Sequence, residues 1–151
     1  MSKSKRNNSD EAYVLDICDE ILGMNAIRQY RKFSFLEGDP GKNGQRRRLP
    51  VDAFYADLGL AIEYREIQHF ESTPHFDKPY KLTVSGVHRG EQRKKYDLLR
   101  DRLLPQNGIR LIVIPYHALV CDSRKRLKRE RPTDILAVEF LLSRAAINLL
   151  R

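Results

Sequence analysis

The stretch LPVDAFYADLGLAIEYREIQHF, residues 49–70, contains two apolar runs separated by a glycine. Both runs are rich in aromatic and branched residues, which are typical of β-strands. Gly59 lies between them, where a tight connection needs a residue of wide conformational freedom. We therefore expect strands over 48–57 and 60–67, paired as a hairpin.

Four polar side chains interrupt this otherwise buried pattern. Alternate residues of a strand share a face, so Glu63 and Arg65 point the same way, and the hairpin can bring Asp52 across from them. Two carboxylates that close together repel unless a cation lies between them, and oxygen ligands of this kind suit a hard ion such as Mg²⁺. His69 ends the second strand. A lone histidine is more often structural, but this position ahead of a long loop favours a proton-transfer role.

Outside the hairpin, periodicity and chain-breaking residues predict the remaining elements. Over residues 60–116 a helix connects two strands, and such a crossover connection favours parallel pairing of the strands. The continuous apolar run over 109–116 is typical of a strand covered on both faces. The expected fold is a three-layer α/β domain with a mixed central sheet flanked by helices. The predicted elements are a helix over 9–23, a strand over 26–36, a loop over 71–88, a helix over 89–108, a strand over 109–116 and a helix over 133–150.

Length and composition favour one globular domain. The chain has 151 residues, of which 41% are hydrophobic. We expect a disordered basic tail over 1–8 and a single domain over 9–151. No apolar run has the length of about 18 residues that a membrane span needs, and no apolar segment of the signal-peptide type follows the N-terminus. A cytoplasmic protein with reduced thiols at Cys18 and Cys121, without membrane attachment, is the expectation.

The charge distribution favours a polyanionic partner. The net charge is +8, and the cations concentrate in KNGQRRRLP (42–50) and SRKRLKRER (123–131). Each patch alone is compatible with an ordinary solvated face, but two in one small domain favour contacts with the phosphates of nucleic acid. The predicted contacts are Arg46, Arg47, Arg48, Arg124, Lys125, Arg126 and Lys128.

Two further acids have both structural and functional interpretations. Glu11 lies beside the apolar stripe of the first helix, where it either joins a site or only complements the positive end of the helix dipole. Asp97 lies among basic residues of the helix over 89–108, and its simplest interpretation is a salt bridge within that helix.

The ordered series of these segments resembles the PD-(D/E)XK nuclease superfamily. The segment 49–70, RKKYDLLR (93–100) and GIRLIVIPY (108–116) carry the resemblance, and DEAYVLDICDEIL with IRQYRKFSFL is similar to the helix and strand that open those domains. Within the superfamily, the chain is similar to very-short-patch-repair endonucleases and to homing endonucleases with the Glu-Asp-x-His-Asp signature. Across about residues 10–117, the resemblance implies a restriction-endonuclease-like fold. By position, the signature falls on Glu11, Asp52, His69 and Asp97, with Glu63 and Arg65 in place of the E-x-K pair.

The resemblance implies metal-dependent cleavage of DNA, with Mg²⁺ or Mn²⁺ held by Asp52 and Glu63. Such an ion neutralises charge on the phosphodiester and acidifies bound water. Two positions depart from the family pattern: Arg65 replaces the expected lysine, and Glu66 replaces a frequent glycine. Arginine stays protonated and cannot be a base, so Arg65 would hold a phosphate oxygen and His69 would transfer the proton.

The leading hypothesis is a metal-dependent DNA endonuclease, in which the loop over 71–88 contacts a groove or covers the site. Two copies acting together, as a homodimer, would cut both strands. The alternative, favoured by Arg65, is a nucleic-acid-binding domain of the same fold without catalysis. RNA ranks lowest as a substrate because no set of stacking aromatics is evident.

Overall fold

A computed structural model of the chain describes residues 8–67 and 89–147. Three helices and four strands lie in these two ranges, and short 3₁₀ turns follow the second and fourth strands. In chain order they are α1 (Asp10–Leu22), β1 (Ile27–Tyr30), β2 (Val51–Tyr55), β3 (Leu60–Arg65), α2 (Arg89–Gln106), β4 (Arg110–Pro115) and α3 (Arg131–Ile147). None of these helices combines the length and apolarity that crossing a bilayer requires.

The four strands form one mixed sheet in the order β1-β2-β3-β4. β2 pairs antiparallel with both β1 and β3, and Ala53 lies opposite Ile62 in the predicted hairpin. β3 and β4 run parallel, and Glu63 lies opposite Val113. The hairpin and the parallel pairing are therefore confirmed.

Helices cover both faces of the sheet. In one core cluster, Leu15 of α1 and Val138 of α3 pack with the sheet residues Tyr55 and Ile62. The other cluster joins α2 to the opposite face of the sheet, through contacts among Phe54, Ala61 and Leu104. The alternation of strand side chains explains this division, because neighbouring residues point to opposite faces. The predicted α/β class with a mixed central sheet is confirmed.

The first helix begins and ends where its sequence indicates. Ser9 is the N-cap, and its hydroxyl accepts a hydrogen bond from the amide of Ala12 at 3.0 Å. Gly23 ends the helix with a left-handed φ of 67°, which glycine adopts without steric cost. Cys18 of this helix is fully buried in the core.

The predicted strand over 26–36 is wrong beyond Tyr30. From residue 36 to residue 49 the chain instead forms an irregular hairpin, here called the basic hairpin, in which the amide of Leu49 donates to the carbonyl of Leu36 at 2.8 Å. The aromatic residues after β1 explain the error. Phe33 packs against Tyr30 and against Phe54 of β2, with ring centroids 4.8 Å and 4.9 Å away, so these residues form an aromatic cluster and do not alternate across a strand.

The other boundaries differ by a few residues for local reasons. The strand predicted over 48–57 begins only after Pro50, which has no amide hydrogen to donate to a sheet. The helix predicted over 133–150 begins at Arg131, because proline at position 132 is tolerated in the first turn of a helix. The predicted loop over 71–88 and residues 1–7 of the predicted tail lie outside the described residues.

Candidate functional site

The two central strands separate where their polar residues begin. The pairing of β2 with β3 ends at Ala53 and Ile62, one position before Asp52 and Glu63. Beyond it, the side chain of Asp52 replaces a backbone partner, and its Oδ2 accepts a hydrogen bond from the amide of Tyr64 at 2.9 Å. The carboxyl groups of Asp52 and Glu63 also hydrogen-bond to each other. The structure thus brings together the two carboxylates that the hairpin predicts to be close.

A third carboxyl group, that of Glu11, joins this pair from the first turn of α1. It hydrogen-bonds to Asp52. The side-chain amide of Gln29 donates to Glu11 Oε2 at 3.1 Å and to Asp52 Oδ1 at 3.4 Å. Gln29 has a left-handed φ of 49°, a conformation that costs a non-glycine residue about 1–3 kcal/mol. Glu11 therefore occupies both the helix terminus and the carboxyl cluster, here defined as Glu11, Asp52 and Glu63.

The pKa values of the carboxyl cluster are all raised. Burial and then the neighbouring Asp52 raise the pKa of Glu11 from 4.5 to about 7. Burial and then Glu63 raise the pKa of Asp52 well above its usual range. Burial raises the pKa of Glu63, although its hydrogen bond with Asp52 and the charge of Arg100 oppose that rise. Burial and the mutual repulsion of these acids therefore favour their protonated forms over their ionised forms.

Glu63 lies next to a guanidinium but keeps an unused acceptor. Its Oε1 is 3.0 Å from Nε of Arg100, which contacts Asp97 Oδ1 at 3.2 Å through Nη1. The Nε–H of Arg100 points to the carbonyl of Pro50 at 2.8 Å, and Glu63 Oε1 is buried without a hydrogen bond. Glu63 Oε1 is therefore ion-paired with Arg100 but accepts no hydrogen bond, which leaves its lone pairs available to a bound cation.

Arg65 is buried against acids of α2. Its Nη2 is 2.7 Å from Asp101 Oδ1, and its Nε is 3.8 Å from Asp97 Oδ2. Only 8% of Arg65 is exposed, so its guanidinium is part of an internal ion network. The salt bridge predicted for Asp97 within its helix is confirmed by the contact with Arg100, and Asp97 also contacts Arg65 across elements.

The sequence interpretation missed three members of this polar network. Arg100 and Asp101 follow Asp97 by three and four positions, so they share its helix face, and that spacing was the available signal. Gln29 had no local signal, because its role depends on the position of β1 beside β2. His69, predicted to transfer a proton, lies outside the described residues.

The predicted nucleic-acid contacts are exposed on two turns of the chain. In the second, the carboxylate of Asp122 accepts hydrogen bonds from the amides of Arg124 and Arg126, each at 2.9 Å. An antiparallel backbone β-bridge between Cys121 and Leu127 closes this turn, and Leu127 anchors the turn because its side chain is buried. The exposed residues are Arg46, Arg47 and Arg48 in the basic hairpin, and Arg124, Lys125, Arg126 and Lys128 in the second turn.

Two viral proteins are similar in sequence to part of this chain. It is 34% identical over 76 residues to Uncharacterized protein 307L of Invertebrate iridescent virus 6, covering 50% of this chain and 34% of the viral protein. It is 28% identical over 74 residues to Uncharacterized protein 033L of Invertebrate iridescent virus 3, covering 49% of this chain and 34% of the viral protein. The matches thus span about a third of the length of each viral protein. No family model matches the chain, and no solved structure matches it.

Proposed function

We propose that this protein is a metal-dependent DNA endonuclease with a restriction-endonuclease-like fold. One observation carries the proposal: Asp52 and Glu63 meet where β2 and β3 separate, and Glu63 keeps a buried oxygen without a hydrogen bond. Two acids forced together in this way favour either a proton or a cation between them.

The donor set fits a hard divalent ion. Among the described residues, no group of three or more histidine, cysteine, aspartate or glutamate side chains is arranged to hold a metal by itself. Mg²⁺ is commonly held by one or two carboxylates, with water and substrate phosphate completing its shell. Asp52 and Glu63 would hold Mg²⁺ or Mn²⁺. The ion would neutralise phosphate charge and favour ionisation of water.

The residues around this pair have separate tasks in the proposal. Glu11 contacts Asp52, and in the metal-free protein burial and then Asp52 raise its pKa to about 7; a carboxyl group at this position would be placed to act as a general acid or base. Arg100 holds Glu63 from α2 and thereby positions its carboxylate. The exposed cations of the basic hairpin and of the turn over 124–128 would bind the DNA backbone.

Two measurements test the proposal. Incubation with supercoiled plasmid should yield nicked or linear DNA with Mg²⁺ or Mn²⁺ and none with chelator. Calorimetric titration of the metal should show binding that Asp52→Asn weakens by about tenfold or more, since one of two charged ligands is lost. Glu139→Gln, an exposed change on α3, is the control. Equal metal affinity in Asp52→Asn and wild type would remove Asp52 from the site.

A nucleic-acid-binding domain without catalysis is the second candidate. The ion pairs of Arg65 with Asp101 and of Arg100 with Glu63 favour it, because internal cations already compensate these acids. This candidate predicts DNA binding without metal-dependent cleavage and without measurable binding of Mg²⁺. The plasmid and calorimetry experiments together separate the two functions.

A further inference from the structure

A cavity with a volume of about 460 Å³ lies between the basic hairpin and the first half of α2. Four cationic side chains contribute to its lining, and amide side chains and a tyrosine contribute as well. Its size falls within the range of small-molecule sites in proteins, roughly 300–1,000 Å³. The lining includes the cations Arg31, Lys42, Arg47 and Arg48 and the uncharged Gln45 and Tyr96.

Specific contacts hold the wall of this cavity in place. Tyr96 packs so closely on Gly38 that a β-carbon added there would lie 2.8 Å from the tyrosine oxygen. The amide of Asp39 donates to the same oxygen at 3.1 Å, and Lys95 pairs with the Asp39 carboxylate at 2.6 Å. This ion pair compensates the acid that lines the cavity. The basic hairpin is therefore fixed to α2 with its arginines around the space between them.

The lining matches the chemistry of a nucleoside phosphate. Guanidinium groups bind phosphate oxygens with well-defined geometry, and amide groups can both donate to and accept from the edge of a base. Tyr96 adds an aromatic ring of the kind on which bases stack. A cavity for inorganic phosphate alone would need neither this volume nor the amides.

Residues that line the cavity are close in the chain to residues of the carboxyl cluster and its ion network. Leu49 lines the cavity and Asp52 follows it by three positions, while Tyr96 is the neighbour of Asp97 in α2. The carbonyl of Pro50, between them on the chain, accepts from Arg100 beside Glu63. A DNA strand that reaches the carboxyl cluster would thus pass close to the cavity.

We propose that this cavity binds one unstacked nucleotide of a DNA strand, with its phosphate among the arginines and its base against the amides and Tyr96. The inference rests on the proposed function, because it assigns the substrate as DNA with an extruded or terminal nucleotide. A free nucleotide offers the same chemistry, and competition with a DNA strand distinguishes the two sources.

Binding of thymidine monophosphate without metal tests the cavity by itself. We expect its dissociation constant to be at least about tenfold lower than that of inorganic phosphate. Arg47→Gln and, separately, Arg48→Gln should each weaken the binding of thymidine monophosphate by about fivefold or more, whereas Arg102→Gln, which removes the same charge at an exposed position outside the cavity lining, should change it less than about twofold. Equal affinities for the two anions, or equal effects of all three variants, would overturn the inference.

A strand with one fluorescent 2-aminopurine distinguishes the two nucleotide sources. A single-stranded 12-mer should displace thymidine monophosphate, and its fluorescence should rise on binding to wild type but not to Arg47→Gln. Failure of the 12-mer to displace the nucleotide would overturn the assignment to DNA. Cleavage of plasmid without nucleotide binding would refute only this inference, and nucleotide binding without metal-dependent cleavage would refute only the proposed nuclease activity.

Discussion

Replacing Glu11 by glutamine should change how the stability of the metal-free protein depends on pH. The folded protein holds the Glu11 proton more tightly than the unfolded chain does, because burial and then Asp52 raise the pKa from 4.5 to about 7. An acid with a raised pKa in the folded state lowers stability as pH rises through this window. Glutamine cannot ionise, so Glu11→Gln should not incur this loss.

The size of the effect follows from the shift in pKa. One pKa unit corresponds to about 1.4 kcal/mol, so the rise from 4.5 to about 7 gives an upper limit of about 3 kcal/mol. Glu11 is only partly buried, and screening by solvent reduces this to about 1–2 kcal/mol. For a chain of this length, the difference in melting temperature between the variant and wild type should grow by about 3–6 °C from pH 4.5 to pH 7.5.

Thermal unfolding with chelator, measured by circular dichroism at half-unit pH steps, provides the assay. Wild type should lose stability relative to Glu11→Gln as pH rises, and the difference should level off above pH 7. Glu139→Gln is the matched control, because Glu139 is exposed on α3, and its curve should run parallel to wild type. A Glu11→Gln curve that also runs parallel to wild type across this window would refute the raised pKa of Glu11.

Three further predictions concern the ion network, the basic surface and the histidine. Arg100→Met should destabilise the protein by about 3 kcal/mol, because it leaves buried Glu63 and Asp97 without their shared cation, whereas the exposed Arg102→Met should cost less than about 0.5 kcal/mol in chemical denaturation. Replacing the four cations of the second basic turn by alanine should make the plot of log K for DNA against log salt shallower by about 0.9 per lost phosphate contact, and an unchanged slope would mean that this turn faces away from DNA. If His69 transfers a proton, His69→Ala should lower cleavage by about 10²–10⁴-fold and remove a limb of the pH–rate profile, whereas a structural histidine predicts a lower melting temperature with the profile preserved. In the DNA-binding variant of the second basic turn, the four replacements are Arg124→Ala, Lys125→Ala, Arg126→Ala and Lys128→Ala.

The sequence by itself determined the local elements and their pairing at the centre of the sheet. Alternation over 60–67, the turn at Gly59 and the capping residues of α1 are consequences of short-range geometry, and each appears in the structure with small changes of boundary. The same alternation predicted that Asp52 and Glu63 would be close, because a hairpin connects nearby residues. The predicted strand over 26–36 failed because its aromatic residues pack against Phe54, a residue distant in sequence.

Only the tertiary structure decided which charges neutralise which. Arg65 follows Glu63 by two positions on one face, yet its partners are Asp97 and Asp101 on a helix that begins 24 residues later. The placement of Gln29 beside Glu11 and Asp52 likewise depends on β1 pairing with β2. The periodicity of a sequence indicates which face of a helix or strand is buried, but it does not indicate which side chain from another element packs against that face. A buried charge is stabilised by that specific partner, and long-range packing selects the partner.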